Sequence, residues 1–170
     1  MSTDNPPKLT PVKAHPLLEP IYAELDNLYH AGQIALEDFW SSSNAFKDNH
    51  PRGVEIWWSH SCRIRQPDIR KARGIEITWA HVNFYGPSGK RKPISNYIAR
   101  GNERHAYRKS AFHRAGKEEL DAILKAEDVF AMIRQRAEHL HKARRSIMAY
   151  LKLDQAEAFT EIESSTTKKE

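Results

Sequence analysis

The feature that most constrains the fold is a long apolar periodicity in the C-terminal third of the sequence. From Glu118 onwards, apolar residues recur every three or four positions, as they do in an amphipathic helix. These residues are Leu120, Ile123, Leu124, Phe130, Ile133, Ala137, Leu140, Ile147, Met148 and Leu151. The pattern predicts a helix of about 35 residues, roughly 50 Å long.

A second apolar stripe of the same period precedes the middle of the chain. It runs from Leu18 to Trp40, with Pro20 placed in the first helical turn, where a missing N–H costs nothing. The stripe predicts another helix, which we expect to end near residues 41–44 in a run of weak helix formers.

Between the two helical stripes the period changes to that of strands. We predict strands at 54–66, 75–85 and 90–98, and the Gly86-Pro87-Ser88-Gly89 turn joins the last two as a hairpin. Pro93 places the third strand at an edge or shortens it. The order α-β-β-β-α therefore predicts an α+β fold, in which a small antiparallel three-stranded sheet packs on two long helices.

Length and composition suit one domain, which we predict at residues 17–155. Residues 1–16 read as a disordered arm and 156–170 as a polar tail. Hydrophobic residues make up 39% of the chain, yet no run is long enough to span a membrane and no secretion signal is recognisable. The single cysteine, Cys62, excludes an internal disulfide. We therefore expect a cytoplasmic protein without a membrane partner.

Positive charge is concentrated in the middle of the chain. Residues 52–117 hold fifteen Lys and Arg against four Asp and Glu, or about +11, although the whole chain carries only +5. Such a concentration favours a polyanionic partner, because each neutralised phosphate releases condensed counterions. A solvated basic face without a partner is the alternative.

Several basic residues follow the predicted strands and turns, and aromatic residues lie among them. Trp58 and Trp79 are expected in the core, whereas a ring left on the open sheet face can stack on an unpaired base. Arginine side chains can bind phosphates or guanine edges. The predicted DNA contacts are Arg63, Arg65, Arg70, Lys71, Arg73, Lys90, Arg91, Lys92, Tyr97, Arg100, Arg104, Tyr107 and Arg108.

The segment that contains Arg100, Arg104 and Arg108 leads to the start of the second helix. Its only acidic neighbour in the sequence is Glu103. Because helix N-termini attract anions, the segment suits an anion site, and an ordinary solvated loop is the equal alternative.

Catalytic patterns are weak by comparison. His139-Leu140-His141 spells a pair used by nicking enzymes, but residues two apart on a helix diverge by about 200° and cannot share one ion. His60, Cys62 and His81 can meet if their strands pair, yet a structural zinc site needs four ligands. We therefore expect no enzyme, no catalytic residue, no metal site and no cofactor.

Several short runs resemble the MobI family, whose members are conjugative transfer proteins of integrative conjugative elements and large plasmids. The runs are Ile75-Glu76-Ile77-Thr78-Trp79, Gly89-Lys90-Arg91, Ser95-Asn96-Tyr97-Ile98-Ala99-Arg100-Gly101, Tyr107, Ser110-Ala111-Phe112 and residues 130–140. Tyr97, Arg100, Gly101 and Tyr107 match the family pattern, whereas Ala99 departs from it. The similarity covers about residues 54–151.

The resemblance implies an accessory role in plasmid or element mobilisation: recognising the origin of transfer and helping the relaxase to assemble the relaxosome there. It agrees with a basic binder that lacks nicking machinery. The alternatives are a regulator or inhibitor whose basic patch binds an acidic protein, and a metal-dependent nuclease. A homodimer through the long C-terminal helix is possible with DNA or with an acidic protein as the partner.

Overall fold

The structure, a computed structural model, describes residues 15–50, 58–65, 74–87, 90 and 92–166, with side chains described up to residue 153. After a 3₁₀ turn at Pro16–Leu18, the elements are α1 (Glu19–Asp48), β1 (His60–Arg65), β2 (Glu76–Tyr85), β3 (Lys92–Tyr97), a 3₁₀ turn at Lys109–Phe112 and α2 (Lys117–Thr166). The predicted α+β fold and its α-β-β-β-α order are confirmed. Residues 1–14 of the predicted disordered arm, which we placed at 1–16, lie outside the described residues.

Helix α1 begins where the sequence predicts and ends later. Its buried residues recur at helical spacing and include Leu25, Leu28 and Phe39. The expected end at residues 41–44 is wrong, because Ser43 is buried and Phe46 packs against the core, so tertiary contacts outweigh weak propensity. The helix ends at Asp48, and the N–H of Asn49 donates to the carbonyl of Ala45 at 3.2 Å.

Gly32 lets α1 approach both the sheet and α2. A Cβ atom at this position would lie 3.2 Å from Cδ1 of Ile64 in β1 and 3.5 Å from Cδ1 of Ile133 in α2. The absence of a side chain therefore brings three elements together at one point of the core.

The three strands form one antiparallel sheet in the order β1-β2-β3. One face, which we call the inner face, packs on the helices through residues such as Cys62, Ile64, Ile77 and Trp79. Aromatic rings fill the space beneath Trp79, with ring centroids at 5.1 Å for Phe39, 5.5 Å for Phe112 and 6.0 Å for Phe130. Trp58 and Trp79 are core residues, as expected, with 8% and 0% of their surface exposed.

Helix α2 is longer than the periodicity predicts. It spans 50 residues, from Lys117 to Thr166, rather than about 35. Leu151 is the last buried residue among the described side chains, and the sequence of the continuation includes alanine and glutamate, which have a high helix propensity. The helix thus extends past residue 155, where we placed the end of the domain.

A buried carboxylate ties the segment before α2 to the sheet. Oε2 of Glu127 accepts from the Trp79 indole N–H at 2.7 Å, and Oε1 accepts from the backbone N–H of Tyr107 at 2.9 Å. The Arg134 guanidinium pairs with the same carboxylate at 2.7 Å and donates to the carbonyl of His105 at 2.6 Å. This network fixes the segment 100–108 beside β2 and α2.

Candidate nucleic-acid interface

The sheet presents a second face, which we call the outer face, away from the helices. Cross-strand partners in an antiparallel pair point to the same side, so the register assigns its members. These are Ser61, Arg63 and Arg65 of β1, Glu76, Thr78, Ala80, Val82 and Phe84 of β2, and Pro93, Ser95 and Tyr97 of β3.

Arg63 and Arg65 supply the positive charge of the outer face. Both side chains are exposed, and within the described part of the chain neither guanidinium forms an ion pair or a hydrogen bond. Arg63 lies opposite Thr78, whereas Arg65 lies opposite the acidic Glu76. Arg63 is therefore the cation that is least compensated on this face.

Tyr97 supplies an accessible ring to the same face. Its side chain is 64% exposed, and it lies opposite Ala80, which is buried. The next positions on the face are Thr78 and Val82, diagonally across on β2, and Ser95, two residues back along β3. The ring therefore rises from a floor of shorter side chains and presents most of its surface to solvent.

The β2–β3 hairpin projects beyond the helices. Every residue of β3 is exposed, and the basic Lys90 and Lys92 lie on this hairpin. Phe84 is 43% exposed on the outer face, whereas Tyr85 and Ile94 are 56% and 48% exposed on the opposite side. Both sides of the hairpin therefore present apolar groups to solvent.

A basic cleft of about 440 Å³ adjoins the outer face. Its walls are the start of β2, the segment 100–105 and one side of α2, and it shares Glu76 and Thr78 with the outer face. Five arginines line it, against two acids, Glu76 and Glu138. The arginines are Arg100, Arg104, Arg134, Arg144 and Arg145.

Ion pairs reduce the charge of part of the predicted basic segment. Arg104 pairs with Glu138 of α2, its Nε donating to Oε2 at 2.8 Å, and Lys142 binds the same carboxylate at 2.8 Å. Lys142 and Arg104 together lower the pKa of Glu138 to about 2. Arg108 pairs with Glu103 at 3.0 Å. The fold thus adds Glu138 of α2 to Glu103 as an acidic neighbour of this segment.

Arg100 and Arg145 have no acidic partner among the described residues, so no carboxylate neutralises them there. Arg100 donates to the carbonyl of Arg104 at 3.1 Å, and in the described residues neither Arg100 nor Arg145 forms an ion pair. Both side chains are exposed at the cleft. Among the arginines that line the cleft, they are the exposed ones that no acid in the described residues pairs with.

Tyr107 must be removed from the predicted DNA contacts. Only 6% of it is exposed, its ring packs 6.0 Å from that of Phe112, and the Arg134 guanidinium covers it at 5.1 Å. Burial raises the pKa of its hydroxyl above the usual value. The residue holds the segment 100–108 to the core instead of facing a ligand.

Four other predicted contacts lie outside the described residues: Arg70, Lys71, Arg73 and Arg91.

Sequence reasoning missed the contribution of α2 to the cleft. The predicted contacts include no residue of α2, yet Arg145 faces the cleft together with Arg134, Glu138 and His141. Their spacing of three or four residues marks one helix face. A polar stripe at that period was the signal that could have revealed them.

The histidines and the cysteine of the paired strands form a structural cluster. Nδ1 of the buried His60 lies 3.0 Å from Oε1 of Glu119, and its ring lies 4.6 Å from that of His81. Burial lowers the pKa of His81, and the neighbouring His60 adds to this, while burial raises the pKa of the Cys62 thiol to about 12. Among the described residues, no group of three His, Cys, Asp or Glu side chains is arranged to hold a metal ion.

His139 and His141 lie on α2, as the periodicity predicts. His139 is exposed, whereas His141 is half-buried and faces Gly74, where a Cβ atom would lie 2.6 Å from Nε2. The two rings therefore have different surroundings and do not converge on one position, as the helix geometry predicts.

Comparison with known proteins gives one match. A family model described as MobI protein matches residues 28–148, which is more than two thirds of the chain. No curated protein and no solved structure matches this chain. The helices in the described residues lack the combination of length and apolarity that a membrane span requires.

Proposed function

This chain belongs to the MobI family, which has a role in mobilisation during conjugative transfer, and from that premise we propose that it is a DNA-binding accessory protein of the transfer machinery. In this proposal it recognises the origin of transfer, helps the relaxase to assemble there and performs no reaction of its own. The family match extends from α1 to α2 and includes all three strands.

The observation that carries the proposal is the continuity of the outer face with the basic cleft. Arg63 and Arg65 come from one edge strand, Arg100 follows the other edge strand, and Arg145 comes from α2. Exposed guanidinium groups from three parts of the chain thus border one surface. Such an arrangement suits a phosphate backbone, which runs across a surface and is neutralised at several points.

The inner side of the hairpin supports the second part of the proposal. Tyr85 and Ile94 expose apolar surface on the side opposite to Arg63 and Tyr97. Exposed aromatic and aliphatic groups are typical of protein contacts. We therefore assign the relaxase contact to this side of the hairpin, which leaves the outer face for DNA.

A binding titration at two or more salt concentrations tests the DNA-binding part. Fluorescence anisotropy would compare the origin region with unrelated duplex of the same length, and we expect tighter binding to the origin. Because each phosphate contact releases counterions, Arg63→Gln and Arg100→Gln should each reduce the slope of log K against log salt by roughly one.

Lys125→Gln is the matched control. Lys125 is exposed in the groove between α1 and α2, near Asp38 and Ser42, on the helical side of the molecule. Its replacement removes the same charge from the chain as Arg63→Gln does. If Lys125→Gln reduces the salt slope as much as Arg63→Gln, net charge rather than the outer face determines binding, and the proposed surface is wrong.

The relaxase and nuclease questions need separate measurements. Tyr85→Ser together with Ile94→Ser should weaken capture of the relaxase while DNA affinity stays unchanged. Incubation of the origin DNA with the protein and Mg²⁺ or Mn²⁺ should leave the DNA uncut. Tight capture of an acidic protein without any DNA binding would favour the regulator instead, and cleavage would favour the nuclease.

A further inference from the structure

We propose that the outer face and the basic cleft bind an unpaired DNA strand in preference to duplex, with a base stacked on Tyr97 and the adjoining phosphates held at Arg100 and Arg145. This inference rests on the proposed DNA-binding function and adds the form of DNA that the surface takes. Three features of the surface support it.

The first feature is the accessibility of the Tyr97 ring. The ring is 64% exposed, and in the described residues it makes no ring contact and its hydroxyl no hydrogen bond. Bases are enclosed within a duplex, whereas an unpaired base exposes its flat face. An exposed aromatic ring on a sheet is the group on which such a base stacks, whatever its sequence.

The second feature is the floor beside the ring. On the outer face Tyr97 lies opposite Ala80, and its other neighbours are Thr78, Val82 and Ser95, all shorter than the tyrosine side chain. Arg63 lies beyond this floor, on the order of 10 Å from Tyr97 by the spacing of strands and residues in a sheet. A base stacked on the exposed ring therefore has a cation within reach of its backbone.

The third feature is the shape of the cleft. It is bounded on one side by α2 and on another by the segment 100–105, and its volume of about 440 Å³ is of the size that holds one small ligand rather than a double helix. Arg100 lies three residues after Tyr97 in the chain, so the cleft begins where the stacking position ends. A single strand can bend from the sheet into this concavity, whereas a duplex, whose major groove alone is about 12 Å wide, is too broad to enter it.

The charges of the cleft agree with a phosphate occupant. Arg100 and Arg145 are exposed there without an acidic partner in the described residues, while Glu138 is already bound by Arg104 and Lys142. The remaining acid at the rim, Glu76, lies opposite Arg65 across β1 and β2. The cleft therefore retains positive charge for an anion.

The test compares three forms of one sequence. Each strand of the origin region, labelled with fluorescein, and the annealed duplex are titrated with the full chain at one salt concentration. We expect at least one single strand to bind roughly ten-fold more tightly than the duplex. Equal or tighter binding of the duplex would overturn the inference and leave the proposed function standing, whereas absence of binding to all three forms would overturn both.

Variants at position 97 identify the stacking group. Tyr97→Ala should weaken single-strand binding roughly five-fold to a hundred-fold, the range observed when a stacking ring is removed, and change duplex binding little. Tyr97→Phe retains the ring and should bind like the parent. Tyr97→Thr suits an exposed strand position, so it provides a second ring-free variant if the alanine variant folds poorly.

The controls separate stacking from structure and from charge. Tyr150→Ala removes another exposed tyrosine, 59% accessible on α2, and should leave binding unchanged. Tyr97→Ala should change single-strand affinity without changing the slope of log K against log salt, because the ring carries no charge. Arg100→Gln should reduce that slope for single strands by about 0.7. An unchanged single-strand affinity in both Tyr97→Ala and Tyr97→Thr would contradict the assignment of this ring.

Discussion

The two faces of the sheet are built from alternate residues of the same strands, yet they have opposite character. The inner face buries Trp79, Ile77 and Cys62 against the helices, and the charged groups that reach the core, such as Glu127 and Arg134, are paired. The outer face carries Arg63 and Tyr97, which are both exposed. In the described residues, the Arg63 guanidinium forms no ion pair and the Tyr97 hydroxyl forms no hydrogen bond. One strand therefore contributes to the core on one side and to the proposed binding surface on the other.

This difference means that stability and binding should respond to different substitutions. A buried pair is costly to break, because removing one partner leaves the other charge desolvated. An exposed arginine contributes little to folding, because water solvates it in the folded and unfolded states alike. Inner-face variants should thus change unfolding, and outer-face variants should change ligand binding alone.

The largest effect is expected at Glu127. Glu127→Gln retains the shape of the side chain but leaves the Arg134 guanidinium buried without its carboxylate, so the free energy of unfolding should fall by about 3–5 kcal/mol. Urea unfolding followed by tryptophan fluorescence would measure it. Glu37→Gln, at an exposed position of α1, is the control and should leave the unfolding midpoint nearly unchanged. Similar midpoints for both variants would contradict the structural role of the buried carboxylate.

The next effect concerns the reactivity of Cys62. Burial raises the pKa of its thiol from the ordinary 9.0 to about 12, so at pH 8 the reactive thiolate should be about a thousand-fold rarer than in an exposed cysteine. Iodoacetamide should therefore modify the folded chain far more slowly than the chain in urea, as mass spectrometry would show. Rapid modification without denaturant would mean that the inner face is open to solvent.

A smaller effect is expected from the pH dependence of stability. Burial, and then the charge of neighbouring His60, lower the pKa of His81, so the unfolded state binds its proton more readily than the folded state does. The stability that neutral His81 contributes is present above the ordinary pKa of 6.5. It is lost as the pH falls through the lowered pKa of His81 in the folded state. Unfolding midpoints between pH 7.5 and pH 5 should decline less in His81→Gln than in the parent chain. An identical decline would exclude His81 as the cause.

The smallest effect is expected on the outer face. Arg63→Gln should change the free energy of unfolding by no more than about 0.5 kcal/mol, because the side chain is exposed and unpaired in the described residues. Thermal unfolding of Arg63→Gln and of Glu127→Gln would compare the loss of stability on the outer face with that caused by breaking the buried pair. A loss comparable to that of the inner-face variant would show that the outer face is part of the core.

Periodicity predicts the elements of this fold well and their ends poorly. The start of α1, the order of the strands and the existence of α2 follow from local patterns of apolar residues. The end of α1 depends on the burial of Ser43 and the packing of Phe46, which are tertiary facts. The continuation of α2 to Thr166 depends on helix propensity without an apolar stripe, so a search for amphipathic stripes does not find it.

The candidate site was predictable where it follows strand alternation and unpredictable where it depends on distant pairing. Alternation alone puts Arg63 and Arg65 on one face. The cleft, in contrast, requires Arg100 and Arg145 to meet, and Glu138 to neutralise Arg104. Nothing local in the sequence states which part of α2 packs beside the segment 100–105. The burial of Tyr107 has the same origin, because its anchor is the distant Glu127.

The most direct test of the outer face uses two adjacent positions on β3. Ser95 belongs to the outer face and Asn96 to the inner face, and both are exposed, so cysteines placed there differ only in direction. The high pKa and burial of Cys62 keep it from competing for the label. With a 4-azidophenacyl group on Ser95→Cys or on Asn96→Cys, illumination in the presence of origin DNA should cross-link DNA several-fold more at position 95. Equal cross-linking, or stronger cross-linking at position 96, would contradict the assignment of DNA to the outer face.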